Sequence, residues 1–400
     1  MALLPVADAR ALVLHGVKPL PAEKVALDRA LGRVLASPLA ATRDQPPFQA
    51  SAMDGYALRA EDATAPGTTL ALQGLAAAGH AFRGKLKPGH CIRILTGAPL
   101  PAGADTILIQ EDTTANGNRI TFTVAARPGL NIRPRGGDFN RGEALLPAGT
   151  IISPRAMAVA ASANRADLAL RRKPVVAVFV TGDELVAPGG RPRADQIISS
   201  NAHAVAAFAA SLGAEVINLG IIADHPRAIR AAIRKARAAD ILITTGGVSV
   251  GDLDHTPDAL KAEGVKIDVW KIAMRPGKPF LFGRRGKQRV LGLPGNPVSA
   301  LVCARLFLQP LIRALQGLAT DETPASAITT LPLPPNQQRQ DYLRGRLELA
   351  ADGSRRVSPF SSQDSSQQRL FREAGCLIIR PPHAPAAAAG DTVPVLLLDF

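Results

Sequence analysis

The stretch that decides the fold is Ile241-Leu242-Ile243 followed by TTGGVSVGDLD, residues 244–254. "ILITT" (241–245) is a short apolar, β-branched run and reads as a buried strand. It stops at Gly246-Gly247, where the backbone is free to take conformations that a side chain forbids and to let a ligand approach closely. Asp252 and Asp254 then bring two carboxylates to the same place. Exposed backbone N–H groups suit an anion and paired carboxylates suit a divalent cation, so this strand end asks for a ligand that wants both.

The neighbouring sequence repeats the pattern. "PVVAVFV" (174–180), "EVINLGII" (215–222), "KIDVWKIAM" (266–274), "PFLFG" and "RVLGLP" read as strands. "SNAHAVAAFAASLG" (200–213), "HPRAIRAAIRKARAAD" (225–240), "TPDALKAEG" (256–264) and "NPVSALVCARLFLQPLIRALQG" (296–317) read as helices, the last with Asn296 as cap and Pro297 at its first position. Alternating apolar strands and helices predict a mostly parallel, doubly wound α/β sheet covered on both faces, over residues 173–318. The flanks differ. Short strand-like pieces separated by Gly and Pro predict a β-rich domain over 42–139, and "YLRGRLEL", "CLIIR" and "VPVLLL" a second β domain over 319–400. Residues 1–41 and 140–172 are expected to form a helical, discontinuous domain bracketing the first β domain.

In a doubly wound sheet, ligands bind outside the carboxyl ends of the strands. Those ends read "TGDEL" (181–185), "IIADHP" (221–226), "TTGGVSVGDLD", "KIAMRPGKP" (271–279) and "LPGNP" (293–297). One crevice there would hold Asp183, Glu184, Asp224, Asp252 and Asp254 opposite Lys271, Arg275 and Lys278. The helix from Asn296 aims N–H groups into the same space. Together these features predict a phosphorylated ligand held by N–H groups and Lys/Arg, with Mg²⁺ bridging it to carboxylates. Gly246, Gly247 and Ser249 of one loop, and Pro294, Gly295, Asn296 and Ser299 of another, are the candidate substrate-binding positions.

Composition sets outer limits. The 400 residues exceed what one core supports, so several domains are expected. A net charge of +14 favours acidic partners, but the basic residues are scattered and aromatics are only 4%, which argues against a nucleic-acid footprint. No apolar run reaches the length of a membrane span, and the first twenty residues do not read as a secretory signal. Three widely spaced cysteines predict neither a disulfide framework nor a Cys-based zinc site, in keeping with a cytoplasmic protein.

Read in order, "SAMDGYA", "CIRILTGAPLPAGAD", "TGDEL", "EVINLGII", "GGVSVGDLD", "RPGKPF" and "GLPGNPVSA" resemble the molybdopterin molybdenumtransferase family, to which the C-terminal region of gephyrin also belongs. The resemblance implies four subdomains in an elongated cytoplasmic homodimer. It also implies insertion of molybdate into adenylylated molybdopterin with Mg²⁺-assisted release of AMP, with molybdopterin-synthesis enzymes and acceptor apo-molybdoenzymes as partners. Motif by motif it assigns catalytic roles to Asp54, Thr96, Glu184, Asp224, Asp254, Lys271 and Arg275. Substrate contacts fall to Lys278, Arg344 and Ser365, and metal binding to Glu184, Asp224 and Asp254. Five positions depart from the family pattern: Gln49 and Ala50 before "SAMDGY", Gly137, Arg275 at the head of the basic run, and Asp364 before Ser365. Gln49, Ala50 and Gly137 motivate a second reading, a non-catalytic molybdopterin-binding or scaffold paralogue on the same fold.

Overall fold

The computed structural model describes residues 3–247, 254–398 and 400. Ser249 and Asp252, both expected near the site, lie outside the described residues. The chain divides into two compact units, Met1–Glu23 with Arg171–Phe400, and Lys24–Leu170.

The first unit is built on strands β1 (Val175–Thr181), β2 (Glu215–Ile222), β3 (Ile241–Thr245), β4 (Lys266–Trp270), β5 (Leu281–Arg285) and β6 (Gln288–Leu293). Their order across the sheet is β2-β1-β3-β6-β5-β4. The first four are mutually parallel, whereas β5 runs antiparallel to both β6 and β4. The carboxyl ends of β1, β2, β3, β4 and β6 therefore share one edge, and the β5–β6 turn lies on the other.

Side-chain alternation sorts the strand residues between two cores. Val176, Val178, Ile241, Ile243 and Leu291 join one core, with helix α1 (Val6–Leu14), helix α2 (Asn201–Ser211) and the long helix α5 (Pro297–Leu315). Ala177, Phe179, Leu242 and Val290 join the other, with α3 (Pro226–Lys235) and α4 (Thr256–Ala262). The helix α5 is long and apolar enough to cross a membrane, but 72% of its apolar window is buried in the first core.

A second six-stranded sheet follows. Gln340–Leu349 is paired on both sides, with Arg355–Pro359 and with Cys376–Arg380, and the short strand Met274–Arg275 joins its amino end. The "KIAM" stretch is thus not one strand. Lys271 takes a left-handed backbone (φ 71°) that ends β4, and Met274–Arg275 crosses to the other sheet.

The unit Lys24–Leu170 carries a sheet in the order Thr106–Ile109, Gly55–Leu58, His90–Ile94, Thr69–Ala76, Arg119–Phe122, Thr113–Asn116, with a core on each face. The expected helical domain over 1–41 and 140–172 takes a different form. Helix α1 buries Val6, Ala9 and Val13 in the α/β core instead. Residues 24–41 and 140–170 build a small core from short strand pairs such as Leu39–Ala40 with Ala144–Leu146, plus a single helix, Pro154–Ser162. The apolar pieces there are broken by Gly32, Pro38, Gly142 and Gly149, too closely for helices to propagate.

Candidate functional site

A cleft of about 900 Å³ opens at the carboxyl edge of the α/β sheet. It is bordered by Thr181 and Glu184 at and beyond the end of β1, Thr245 and Gly246 at and beyond the end of β3, Arg275 and Lys278 after β4, and Pro294, Gly295, Asn296 and Ser299 after β6. The loop 363–366 of the C-terminal sheet closes one side, with Ser365 on the wall. Nine of the expected site residues thus converge on one space: Glu184, Gly246, Arg275, Lys278, Pro294, Gly295, Asn296, Ser299 and Ser365.

Its floor explains the paired glycines. Gly246 has φ 79°, and a Cβ there would stand 2.4 Å from the carbonyl oxygen of Thr181. Gly247 has φ 59°, and its Cβ would stand 2.5 Å from Thr256 Oγ1 and 3.2 Å from Asp254 Oδ1. Only glycine permits both the left-handed backbone and the approach of two strand ends. Beside this floor Thr181 Oγ1 donates to Asp224 Oδ1 (3.1 Å), and the Asp224 backbone N–H donates to Asp183 Oδ1 (3.2 Å). Asp183, Asp224 and Asp254 therefore gather around Thr181 and Gly247, next to the cleft rather than on its wall. Among the described residues no three carboxylate, imidazole or thiol groups form a ready metal cage.

Five expectations need correction. Asn296 precedes α5 but does not cap it with its side chain; its Nδ2 donates instead to Ser365 Oγ (2.8 Å). The Val298 N–H, expected to face a ligand, donates to the Ser365 carbonyl (3.1 Å). The C-terminal sheet thus consumes part of the helix terminus and fixes Ser365 on the wall. Arg275 is not a free cation. The parallel register sets it opposite Asp341, and its Nε donates to Asp341 Oδ1 (3.1 Å) while its terminal nitrogen donates to Oδ2. Arg344 does not reach the cleft. It is 1% exposed, and it donates from its backbone to Gln363 Oε1 (2.9 Å) and from a terminal nitrogen to the Asp364 carbonyl (2.8 Å), propping the loop from behind. Burial pushes its guanidinium below the ordinary arginine range, with Asp364 opposing that shift. Lys271 likewise does not border the cleft; its backbone N–H closes the loop onto the Phe280 carbonyl (2.9 Å).

Sequence reading also missed part of the cleft wall. Asn201 lines the cleft and its Nδ2 donates to the Gly295 carbonyl (2.6 Å), a role hidden behind its position at a helix start. Asp364 accepts from the Ser366 N–H (2.8 Å) and Oγ (2.9 Å), which hold its carboxyl below the usual range. This departure from the family pattern is therefore a turn former.

In the second unit, Asp54 and Thr96 are brought together across 42 residues. The Thr96 N–H and Oγ1 both donate to Asp54 Oδ1 (2.7 and 2.8 Å), holding that carboxyl below its ordinary range. Gly55 is required beside it, since a Cβ there would sit 2.0 Å from the Leu108 carbonyl oxygen. Arg135 pairs with Asp44 (2.6 Å), which also accepts from the Arg141 N–H.

Comparison with known proteins agrees with this architecture along the whole chain. Residues 4–164 match the MoeA N-terminal region (domain I and II), 177–314 the probable molybdopterin binding domain, and 326–398 the MoeA C-terminal region (domain IV). The molybdopterin molybdenumtransferase of Haemophilus influenzae is 36% identical over 398 residues, 98% of either chain. The chain belongs to the molybdopterin molybdenumtransferase family. The Nostoc enzyme is 37% identical over 94% of this chain and 88% of its own. The solved molybdopterin biosynthesis MoeA protein from Pyrococcus horikoshii superposes with a TM-score of 0.85 at 30% identity, covering 99% of both chains. Membership places the chain among the enzymes of molybdenum cofactor biosynthesis.

Proposed function

We propose that this protein inserts molybdate into adenylylated molybdopterin and releases AMP, acting as a homodimer. The observation that carries the reading is the cleft itself, where Lys278, Asn296 and Ser365 face Glu184 and the glycine floor at the carboxyl edge of the sheet.

The chain's own residues divide the work. Lys278, an exposed ammonium in the "RPGK" loop, supplies a point charge for phosphate oxygens. Asn296 and Ser365, locked to each other, offer their remaining hydrogen-bonding capacity to the same groups. The glycine floor lets a phosphate approach the backbone after β3. Arg275 sits at the rim, oriented by Asp341. Its carboxylate partner is 5% exposed while the guanidinium side chain is 54% exposed, so one face of the fork stays open to an anion.

The acidic residues beside the floor fit Mg²⁺. They are hard oxygen donors, and Mg²⁺ commonly takes only one or two carboxylates together with phosphate oxygens. Asp224 and Asp254 beside the floor, or Glu184 on the wall, would hold it, one or two of them together with phosphate oxygens. When bound, it neutralises the charge that builds as a phosphoanhydride breaks. Lys278 adds to that stabilisation from the opposite wall.

The test is to give purified protein adenylylated molybdopterin, Mg²⁺ and molybdate. The proposal expects AMP release that depends on molybdate, and its absence overturns the proposal. The non-catalytic reading draws on the departures at Gln49, Ala50 and Gly137. Tight molybdopterin binding without turnover would select it.

A further inference from the structure

A second cavity, of about 890 Å³, lies at the opposite, amino edge of the same sheet. It is bordered by the segments that enter the strands: Arg172 before β1, Asp240 before β3, Lys266 at the start of β4, and Lys287 and Arg289 around the β5–β6 turn. The segment 15–21 forms the facing wall, bringing Lys18 together with apolar Val17, Pro19 and Leu20. The five residues of β3 separate this cavity from the catalytic cleft by roughly 16 Å.

The charges here do not cancel. Asp240 is consumed by a two-pronged pair with Arg172 (3.0 and 2.8 Å) and by the Val175 N–H. Asp268 is consumed in the same way by Arg284 (2.7 and 3.1 Å). Among the described residues Lys18, Lys266, Lys287 and Arg289 form no ion pair with a carboxylate. Arg289 is the telling member. It is only 7% exposed, one terminal nitrogen donates to the His15 carbonyl (2.9 Å), and its Nε is buried with no acceptor. That Nε is sealed from the cavity, so a ligand there would meet the charge of the guanidinium rather than complete this donor.

We propose that this amino-edge cavity binds a small, multiply charged phosphate-bearing molecule, distinct from the substrate in the cleft. Four cations around a cavity within the usual size range of small-molecule sites call for more than one negative charge. Arg289 and the three lysines supply positive charge from separate segments around the cavity. The apolar wall of Val17, Pro19 and Leu20 leaves room for an organic body beside the phosphate. The inference does not depend on the molybdate reaction, since no residue of the catalytic cleft takes part.

Isothermal titration of the full chain with pyrophosphate tests it. The wild type is expected to bind two equivalents, and Lys278→Ala to lose only the cleft equivalent. Lys18→Ser/Lys287→Ser, both exposed positions, is expected to weaken the other site at least tenfold while circular dichroism stays unchanged. Arg289→Gln should weaken it further, and the double lysine variant keeps the test decisive if Arg289→Gln fails to fold. Unaltered stoichiometry and affinity in the double variant would overturn the proposal. So would equal displacement of pyrophosphate by sodium chloride at matched ionic strength.

Discussion

Replacing Gly246 with alanine probes the geometry on which the cleft depends. The residue adopts φ 79°, and a Cβ would be forced to 2.4 Å from the Thr181 carbonyl oxygen. A left-handed backbone costs an alanine about 1–2 kcal/mol. The obstacle is backbone at the end of a central strand, not a flexible side-chain tip, so relief requires shifting one strand end at about 1–3 kcal/mol more. The total is roughly 2–5 kcal/mol, which lowers the melting temperature of a unit this size by about 5–15 °C. Gly264→Ala is the control: its φ is 83° but nothing lies within 4 Å of the built Cβ, so it bears only the backbone cost. Thermal unfolding followed by calorimetry should rank wild type above Gly264→Ala above Gly246→Ala. Gly246→Ala should also lose AMP-release activity, because the displaced loop forms the cleft floor. If the two variants melt within ~1 °C of each other, the strand ends do not approach as described and the reasoning fails.

Three further outcomes follow from the same structure. Lys278→Ala should lower kcat/KM for AMP release about 10²-fold or more, as loss of a transition-state cation does, while the melting temperature of this exposed position stays put; a change under threefold would remove Lys278 from the site. Asp341→Asn should release Arg275 from its orienting partner, raising KM more than it lowers kcat, and unchanged kinetics would show that the pair is irrelevant to the cleft. Glu263 accepts from Arg230 (2.8 Å) and Arg234 (2.9 Å), and these arginines depress its carboxyl. A depressed folded pKa stabilises the fold above the unfolded value of about 4.3 and loses that effect as pH falls through the folded value. Glu263→Gln should therefore melt below wild type at pH 7, with the gap closing in scans below about pH 4. A gap that is constant with pH would contradict the assignment.

Local pattern carried much of this protein. "ILITT" coincides with β3 because an apolar strand buried on two faces leaves an unbroken signature, and "EVINLGII" coincides with β2 although that strand lies at the sheet edge and is only partly buried. The five strand ends fall on one edge because parallel connections put them there, and Glu184, Lys278, Asn296 and Gly246 follow. What sequence reading could not reach are interactions set by register between distant segments. Arg275 meets Asp341, 66 residues away, only because Met274–Arg275 leaves its own sheet for another. Asn296 turns from cap to clamp only because the loop at Ser365 arrives at its helix. Arg344 sits in a motif that reads as functional, yet its strand buries it beneath the loop it supports. Helix α1 leaves its sequence neighbours because its buried face of Val6, Ala9 and Val13 finds a larger apolar partner in the α/β core.

A structure of the protein with adenylylated molybdopterin, Mg²⁺ present and molybdate withheld, interrogates the central claim at its source. The account predicts phosphoanhydride density in the carboxyl-edge cleft, within hydrogen-bonding reach of Lys278 and Ser365 and against the Gly246 backbone. Density for the intact ligand elsewhere, with that cleft holding only solvent, would contradict it.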